Sequence, residues 1–243
     1  MGISINNRVA LVTGANRGIG KAIVASLIAH GAQKVYLVVR NPTSTQELEE
    51  QYGTKVQTIQ ADVADSASIK ALAQQATDVS IVINNAGIGT PHSTLGDDVE
   101  ADFQKQLDVN AFGLLRIANA FAHILEKNKG ALVQLNSIAS IKNFAQLSTY
   151  SASKAAAYSL TQGLRVELGA KGVTVVSVHP GPIATDMGVA AGFKDGASPS
   201  VVAEGIITSL QDGDFHLFPD PLAKQIEGAY QSFSDHDVMA DLS

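Results

Sequence analysis

The stretch Arg8-Val-Ala-Leu-Val-Thr-Gly-Ala-Asn-Arg-Gly-Ile-Gly20 decides the fold, because it passes from an apolar segment into a glycine-rich loop. Residues 8–12 have the continuous apolar character of a buried strand. From Gly18 to His30 the apolar residues recur at helical spacing. Strand, glycine turn and helix in this order suit a dinucleotide phosphate, since the backbone N–H groups of a helix N-terminus bind anions.

Each glycine of this loop has a predicted task. Gly14 would allow the tight turn, Gly18 the close approach of backbone to a pyrophosphate, and Gly20 the close packing of helix on strand. The spacing is G-x-x-x-G-x-G, which differs from the general G-x-G-x-x-G fingerprint. Because glycine is favoured in any tight turn, the loop alone has little specificity. Its position after the first strand and before an amphipathic helix makes it moderately specific.

Tyr150 and Lys154 form a second candidate feature. They stand four residues apart in a predicted helix, so their side chains share one face. A neighbouring ammonium would lower the pKa of the phenol from its usual value of about 10. A helical Tyr and Lys at this spacing are more often a packed ring beside a solvated charge, so the pair alone is weak evidence for catalysis. The glycine loop upstream makes a catalytic role more plausible.

Short apolar runs alternate with helical patterns along the chain, which predicts a parallel sheet covered on both faces. Strands are predicted near 8–12, 34–39, 55–60, 80–83, 130–136, 173–178 and 214–218. Helices are predicted near 18–30, 44–52, 65–76, 99–127 (with a break), 150–169, 199–210 and 221–230. Residues 186–199 lack a clear period and are predicted to form a mobile flap. Residues 1–243 are expected to form one domain.

Composition narrows the function classes. The chain is 45% hydrophobic and only 16% charged, which implies little water-facing surface and favours an oligomer. A net charge of −6 argues against nucleic-acid binding. The chain has no cysteine, which excludes disulfides and thiolate metal sites, and no metal ligand set is visible. With no leader pattern and no apolar run of membrane-spanning length, a cytoplasmic location is expected.

The order of the motifs adds a family resemblance. They are Thr13 to Gly20, Asp62-Val63, Asn84-Asn-Ala-Gly87, Asn110, Ser137, Tyr150 with Lys154, and Pro180-Gly-Pro-Ile-Ala-Thr185. With these motifs in this order, the chain resembles the compact, single-domain short-chain dehydrogenases/reductases over essentially its whole length. The resemblance implies an α/β Rossmann fold, which is a doubly wound parallel seven-stranded sheet with helices on both faces. It also implies hydride transfer with a nicotinamide cofactor.

The end of the second predicted strand, Val38-Val39-Arg40-Asn41, indicates which cofactor is used. An enzyme that prefers NAD normally has an acidic residue here to bind the ribose 2′-hydroxyl. This chain has none, and the Arg40 guanidinium would pair with a 2′-phosphate. Arg17 would approach the same phosphate from the glycine loop. The sequence therefore predicts NADP(H).

The resemblance implies the remaining cofactor contacts. The glycine loop would contribute Gly14, Asn16, Arg17, Gly18, Ile19 and Gly20. The adenosine would contact Asp62, Val63, Asn85, Ala86 and Gly87, and the nicotinamide carboxamide would contact Pro180, Gly181, Ile183 and Thr185.

The catalytic roles follow from the chemistry together with the resemblance. Tyr150 would be the acid in reduction and the base in oxidation. Ser137, at the end of a strand, would hydrogen-bond the substrate oxygen. Lys154 would hold the nicotinamide ribose and lower the pKa of Tyr150. Asn110 would hold a helix kink and a water that relays protons to Lys154.

The predicted substrate pocket is nearly all apolar. Its expected residues are Ile88, Ile138, Phe144, Leu147, Pro182, Met187, Val189 and Phe193, with Lys142, Lys194 and His92 at most on the rim. No Arg occurs between Arg116 and Arg165 to clamp an anion. We therefore expect a ketone or aldehyde reductase for neutral, apolar substrates. His179 is interpreted as a packed residue at a strand end.

Two alternatives stay open. A 3-oxoacyl-[acyl-carrier-protein] reductase would share the chemistry, but Phe144 and Ala145 stand where that group tends to have glycine. A non-redox protein that binds NADP(H) for regulation would share the fold. Because the segment from Leu107 to Leu125 has a second apolar face, a homodimer or homotetramer is expected.

Overall fold

The computed structural model describes residues 2–193 and 195–239, and these contain a sheet of seven parallel strands. The strands are β1 (Val9–Thr13), β2 (Lys34–Val39), β3 (Val56–Gln60), β4 (Ile81–Asn84), β5 (Ala131–Leu135), β6 (Thr174–Val178) and β7 (His216–Leu217). Their order is β3-β2-β1-β4-β5-β6-β7. The winding reverses between β1 and β4, which opens a crevice at the carboxyl ends of these strands. The predicted doubly wound fold is confirmed.

Nine helices cover the sheet in the described ranges. They are α1 (Gly18–Ala29), α2 (Gln46–Tyr52), α3 (Ser66–Gln75), α4 (Val99–Leu107), α5 (Gly113–Lys127), α6 (Ser148–Gly169), α7 (Asp186–Ala190), α8 (Pro199–Asp212) and α9 (Pro221–Phe233). Each of them is too short or too polar to cross a membrane.

The core lies in two layers, one on each face of the sheet. Ala10 and Val12 of β1 pack on the side of α1 and α8, with Leu27 of α1. Val9 and Leu11 point to the opposite face, where α3, α5 and α6 pack. Because successive strand residues alternate between faces, a buried parallel strand must be apolar at every position.

The predicted helix over 99–127 is interrupted, as expected, by a wide helical turn at Asp108–Phe112 between α4 and α5. Asn110 lies in the middle of this turn and is 1% exposed. Gly113 follows the turn, and a Cβ there would lie 3.3 Å from the Val63 side chain. The turn therefore brings α5 close to the loop after β3.

The segment 186–199 was predicted to be a mobile flap, and its structure differs from that prediction. The first five residues of the segment form α7. The Thr185 hydroxyl caps the N-terminus of this helix by accepting a bond from Gly188 N at 3.1 Å. Ile183 also forms a parallel bridge with Ala197. The segment is thus tied down at both ends, although Lys194 lies outside the described residues.

Candidate active site

A cavity of about 660 Å³ lies at the carboxyl ends of the central strands. Of the residues predicted for the site, Asn110 and Val189 do not line this cavity, and all of the others do. The structure thus brings most of the predicted residues together around one cavity and places two of them elsewhere.

The glycine loop has the backbone that its sequence predicts. Gly14 and Gly18 have φ angles of 65° and 53°, a region that residues with a Cβ rarely adopt. A Cβ at Gly20 would overlap the carbonyl oxygen of Gly14. Asn85 fixes this turn from β4, because its Nδ2 donates to Thr13 O at 2.9 Å and to Gly14 O at 3.2 Å.

The N-terminus of α1 fits an anionic group. Arg17 precedes the helix without capping it through its side chain, and the first turn contains no acidic residue. Gly18, Ile19 and Gly20 of that turn line the cavity. Uncapped N–H groups at the positive end of a helix are favourable for a phosphate.

Two arginines flank this helix end. Arg40 lines the cavity and joins no ion pair within the described part of the chain. Arg17 lies 3.0 Å from Asp186 at the start of α7, and both side chains are largely exposed. Such an exposed pair contributes little free energy, so Arg17 is free to rearrange. Asn41 and Ser44 also line this end of the cavity, and the sequence reading missed them.

Asn110 shapes the site from behind the cavity wall. Its Oδ1 accepts from Ile88 N at 3.0 Å, and its Nδ2 donates to Ile88 O at 2.9 Å and to Ser153 Oγ at 2.9 Å. A Cβ at Gly87 would lie 3.2 Å from Asn110 Oδ1 and 3.5 Å from Lys154 Nζ. Asn110 therefore fixes the chain at Gly87 and Ile88 beside Lys154.

Ser137, Tyr150 and Lys154 meet at the floor of the cavity. The Ser137 hydroxyl hydrogen-bonds the Tyr150 side chain, which favours the phenolate, but burial has the larger effect and raises the pKa of Tyr150. Lys154 Nζ donates to Leu135 O at 2.7 Å and lies 5.8 Å from the centre of the Tyr150 ring. Burial lowers the pKa of Lys154 to about 8.

These values correct one prediction. Lys154 was expected to lower the pKa of Tyr150, and the structure gives the opposite net direction for that pKa. The reason is that the ammonium is bonded to a strand carbonyl, and desolvation of the phenolate dominates.

The loop from Pro180 to Thr185 forms the wall beside these groups. Pro180 O accepts from Ile138 N at 3.0 Å, and Ser137 Oγ lies 3.3 Å from the same oxygen. Gly181 N donates to the carboxylate of Asp220 at 2.6 Å. Asp220 was not among the predicted site residues, because it lies 39 positions from Gly181 in the chain and no local pattern links the two.

The substrate end of the cavity is mostly apolar, but Val189 does not belong to it. Met187 and Phe193 line the cavity, whereas Val189 is 60% exposed. Two residues along a helix are about 200° apart, so Met187 and Val189 of α7 face opposite sides. Leu222 of α9 and Pro91 also line the cavity and were missed.

Neither His179 nor His92 lines the cavity. His179 is fully buried and stacks on Phe218, and burial lowers its pKa to about 3. This confirms its interpretation as a packed strand-end residue. His92 lies outside the cavity lining, with its Nε2 2.8 Å from an Asp102 oxygen rather than solvated alone.

Comparison with known proteins identifies the family. A family model described as short chain dehydrogenase matches residues 8–194. The chain therefore belongs to the short-chain dehydrogenase/reductase family, whose members are oxidoreductases.

Relatives agree with this assignment. An uncharacterized oxidoreductase of Staphylococcus aureus is 35% identical over 214 residues, which are 85% of this chain and 92% of the relative. A 3-oxoacyl-[acyl-carrier-protein] reductase of Synechocystis is 33% identical over 76% of this chain and 77% of its own. A crystal structure of a short chain dehydrogenase from Burkholderia cenocepacia in complex with NADP matches with a TM-score of 0.88. It is 30% identical, and the match covers 98% of this chain and 100% of that one.

Proposed function

We propose that the protein is an NADP(H)-dependent oxidoreductase that transfers hydride between the nicotinamide and a carbonyl or secondary alcohol. The observation that carries this proposal is the half-buried Tyr150 side chain, which lines the cavity together with Ser137 and Lys154. A proton donor is needed there because charge develops on the carbonyl oxygen as hydride reaches the carbon.

NADPH, when bound, supplies the hydride. Tyr150 donates its proton to the carbonyl oxygen, and its raised pKa keeps it in the acid form that reduction requires. Ser137 holds the same oxygen in place. Lys154, charged below a pKa of about 8, binds the ribose hydroxyls. Asn110 positions this lysine through the chain at Gly87.

The choice of NADP(H) over NAD(H) is supported by Arg40 and Arg17, which line one end of the cavity. The loop after β2 has no carboxylate at the position that binds a 2′-hydroxyl in enzymes that prefer NAD. The related Burkholderia cenocepacia protein, crystallised in complex with NADP, supports the same choice.

We further propose that the substrate is a neutral, largely apolar ketone or aldehyde. Phe144, Leu147, Met187 and Phe193 line the opposite end of the cavity. Each methylene buried there is worth about 0.8 kcal/mol, so kcat/KM should rise with chain length or aromatic bulk until the pocket is full.

The experiment is to measure kcat/KM with NADPH for ketones of matched size that differ only in a carboxylate. The neutral member of each pair should be the better substrate. A clear preference for the anion would contradict the proposed substrate class, since the cations in the described lining, Arg17, Arg40 and Lys154, are assigned to the cofactor.

A 3-oxoacyl-[acyl-carrier-protein] reductase is the second candidate, favoured by the identity of 33% with the Synechocystis enzyme. Phe144 and Ala145 in the approach to Tyr150 speak against it, since that group tends to have glycine there. Turnover of an acyl-carrier-protein thioester well above that of free ketones would favour this candidate. A non-redox regulatory protein would bind NADPH and reduce nothing in either series.

A further inference from the structure

Asp220 is a buried carboxylate for which the proposed reaction has so far required no role. It precedes α9 and is 2% exposed. Its Oδ1 accepts from Ala223 N at 3.1 Å, and its Oδ2 accepts from Gly181 N at 2.6 Å. Among the described Asp, Glu, Lys and Arg residues, Asp220 and Lys154 are the buried ones.

Helix capping does not account for this carboxylate. Capping needs only the bond to Ala223 N, and the neutral residues Asn and Ser cap helices equally well. Burying an ionised carboxylate is costly unless a cation lies nearby. No ion pair within the described ranges includes Asp220. Two backbone N–H groups hold the carboxylate, and no side-chain cation pairs with it in this part of the protein.

The carboxylate lies directly behind the cavity wall. Gly181, Pro182 and Leu222 line the cavity around it. A Cβ at Gly181 would lie 2.6 Å from Asp220 Oδ1, so the carboxylate packs against the backbone of this wall. The same loop contacts the reaction centre, because Ser137 Oγ lies 3.3 Å from Pro180 O.

We propose that Asp220 is the buried countercharge for the oxidised nicotinamide and that it favours NADP⁺ over NADPH. This inference rests on the proposed function. In reduction, a hydride with its electron pair passes from nicotinamide C4 to the carbonyl carbon. The C=O π electrons move to the oxygen, which takes the Tyr150 proton, and the ring becomes a cation. A carboxylate fixed behind the Gly181 wall, which the nicotinamide would contact, would stabilise that developing charge and so promote reduction.

The test compares wild type with Asp220→Asn and Asp220→Ser, both of which keep a good helix cap. The dissociation constants of NADP⁺ and NADPH are measured by isothermal titration calorimetry. In both variants the ratio of the NADP⁺ constant to the NADPH constant should rise about three- to tenfold, given an effective dielectric constant of about 20 for such charge pairs. Taking the ratio cancels any change in binding of the 2′-phosphate, which both cofactors carry.

Asp186→Asn is the matched control, because Asp186 also lines the cavity but its side chain is 77% exposed. Solvent and salt screen this charge, so the ratio should stay within twofold of wild type, about the effect expected for an exposed charge. Thermal unfolding shows whether each variant is folded, and the Ser variant serves if the Asn variant is not.

The outcomes of this test distinguish failure of the countercharge proposal from failure of the proposed function. Parallel weakening of both cofactors, or loss of both, would mean that Asp220 only positions the Gly181 loop, and the proposal would be overturned. If wild type binds neither NADP⁺ nor NADPH, the proposed function fails, and this inference fails with it. A rise in the ratio for both Asp220 variants, without a rise for Asp186→Asn, supports the countercharge.

Discussion

At the scale of single residues, burial determines the chemistry of the site. Desolvation raises the pKa of Tyr150 and lowers that of Lys154 to about 8, so it favours the neutral form of both groups. Tyr150 then remains an acid across the physiological range. Lys154 is the group whose charge changes near neutral pH.

The pH profile of carbonyl reduction should report Lys154. Its ammonium is fully present well below pH 8 and is lost as the pH rises through the folded-state pKa of about 8. If the ammonium holds the ribose, kcat/KM for reduction should fall above pH 8 by about tenfold per pH unit, as expected for loss of one proton. Initial rates measured from pH 6 to 10 at fixed ionic strength check this.

Lys154→Arg provides the control, since a guanidinium keeps its proton up to a pKa of about 12. Whatever activity this variant retains should be independent of pH between 7 and 10. An unchanged alkaline limb in the variant would assign the titration to another group.

Cofactor selectivity should depend on Arg40. Arg40→Asp removes a charge-assisted bond worth about 1.5–3 kcal/mol and places a carboxylate against the 2′-phosphate. The affinity for NADPH should fall at least about tenfold, while the affinity for NADH is unchanged or improved. Fluorescence titration with both cofactors measures this.

Lys70→Asp makes the same charge change at an exposed position of α3, outside the cavity lining, and should leave both affinities unchanged. Equal weakening toward NADPH and NADH in the Arg40 variant would show that Arg40 has a structural role.

Local sequence pattern was enough to select residues that the structure brings to one cavity, such as Gly14, Gly18 and the pair Tyr150 and Lys154. It did not predict contacts between distant residues. The bond from Gly181 N to Asp220 and the ion pair of Arg17 with Asp186 depend on how whole elements pack.

At the scale of elements, α7 is the part that sequence periodicity missed. It has only five residues, which include Gly188, and this length is too short to show a helical period of apolar residues. The Thr185 cap fixes the start of the helix. The break between α4 and α5 was expected, but its form as a wide turn around Asn110 follows from packing against Ile88 and Ser153.

The orientation of α7 gives a paired prediction. Met187→Ala removes an apolar surface from the cavity and should lower kcat/KM for bulky apolar ketones by about 3- to 30-fold, at about 0.8 kcal/mol for each methylene that was buried against substrate. Val189→Ala, two residues further on the exposed side, should change kcat/KM less than twofold, as expected of a surface substitution. Equal losses in the two variants would contradict the orientation of this helix.

At the scale of the whole molecule, the alternation of apolar runs and helical patterns was sufficient to predict seven parallel strands and helices on both faces. The predicted strand bounds differ from those observed by at most two residues, and those of β2 coincide. The largest change is at β7, which has two residues instead of five. Strand order depends on crossover connections and long-range pairing, and the pattern of residues contains little of that information.

Assembly is the prediction that belongs to this scale. Phe112, beside the start of α5, is 46% exposed, and Val166 on α6 is 61% exposed. We expect a dimer or tetramer that covers these helices, and light scattering at micromolar concentration measures it. Phe112→Asp should reduce the mass, whereas Leu95→Asp, on a loop and already 87% exposed, should not. A strictly monomeric wild type would contradict the expectation.

The most direct test of the account is the rate of NADPH oxidation with neutral ketones and aldehydes, measured for wild type and Tyr150→Phe side by side. The variant loses only the hydroxyl and keeps the packed ring, so NADPH binding should stay near normal. Turnover should fall by about 10²–10⁴, the usual contribution of a positioned acid. If the variant keeps more than half of the wild-type rate, Tyr150 is not the proton donor and the central claim is wrong.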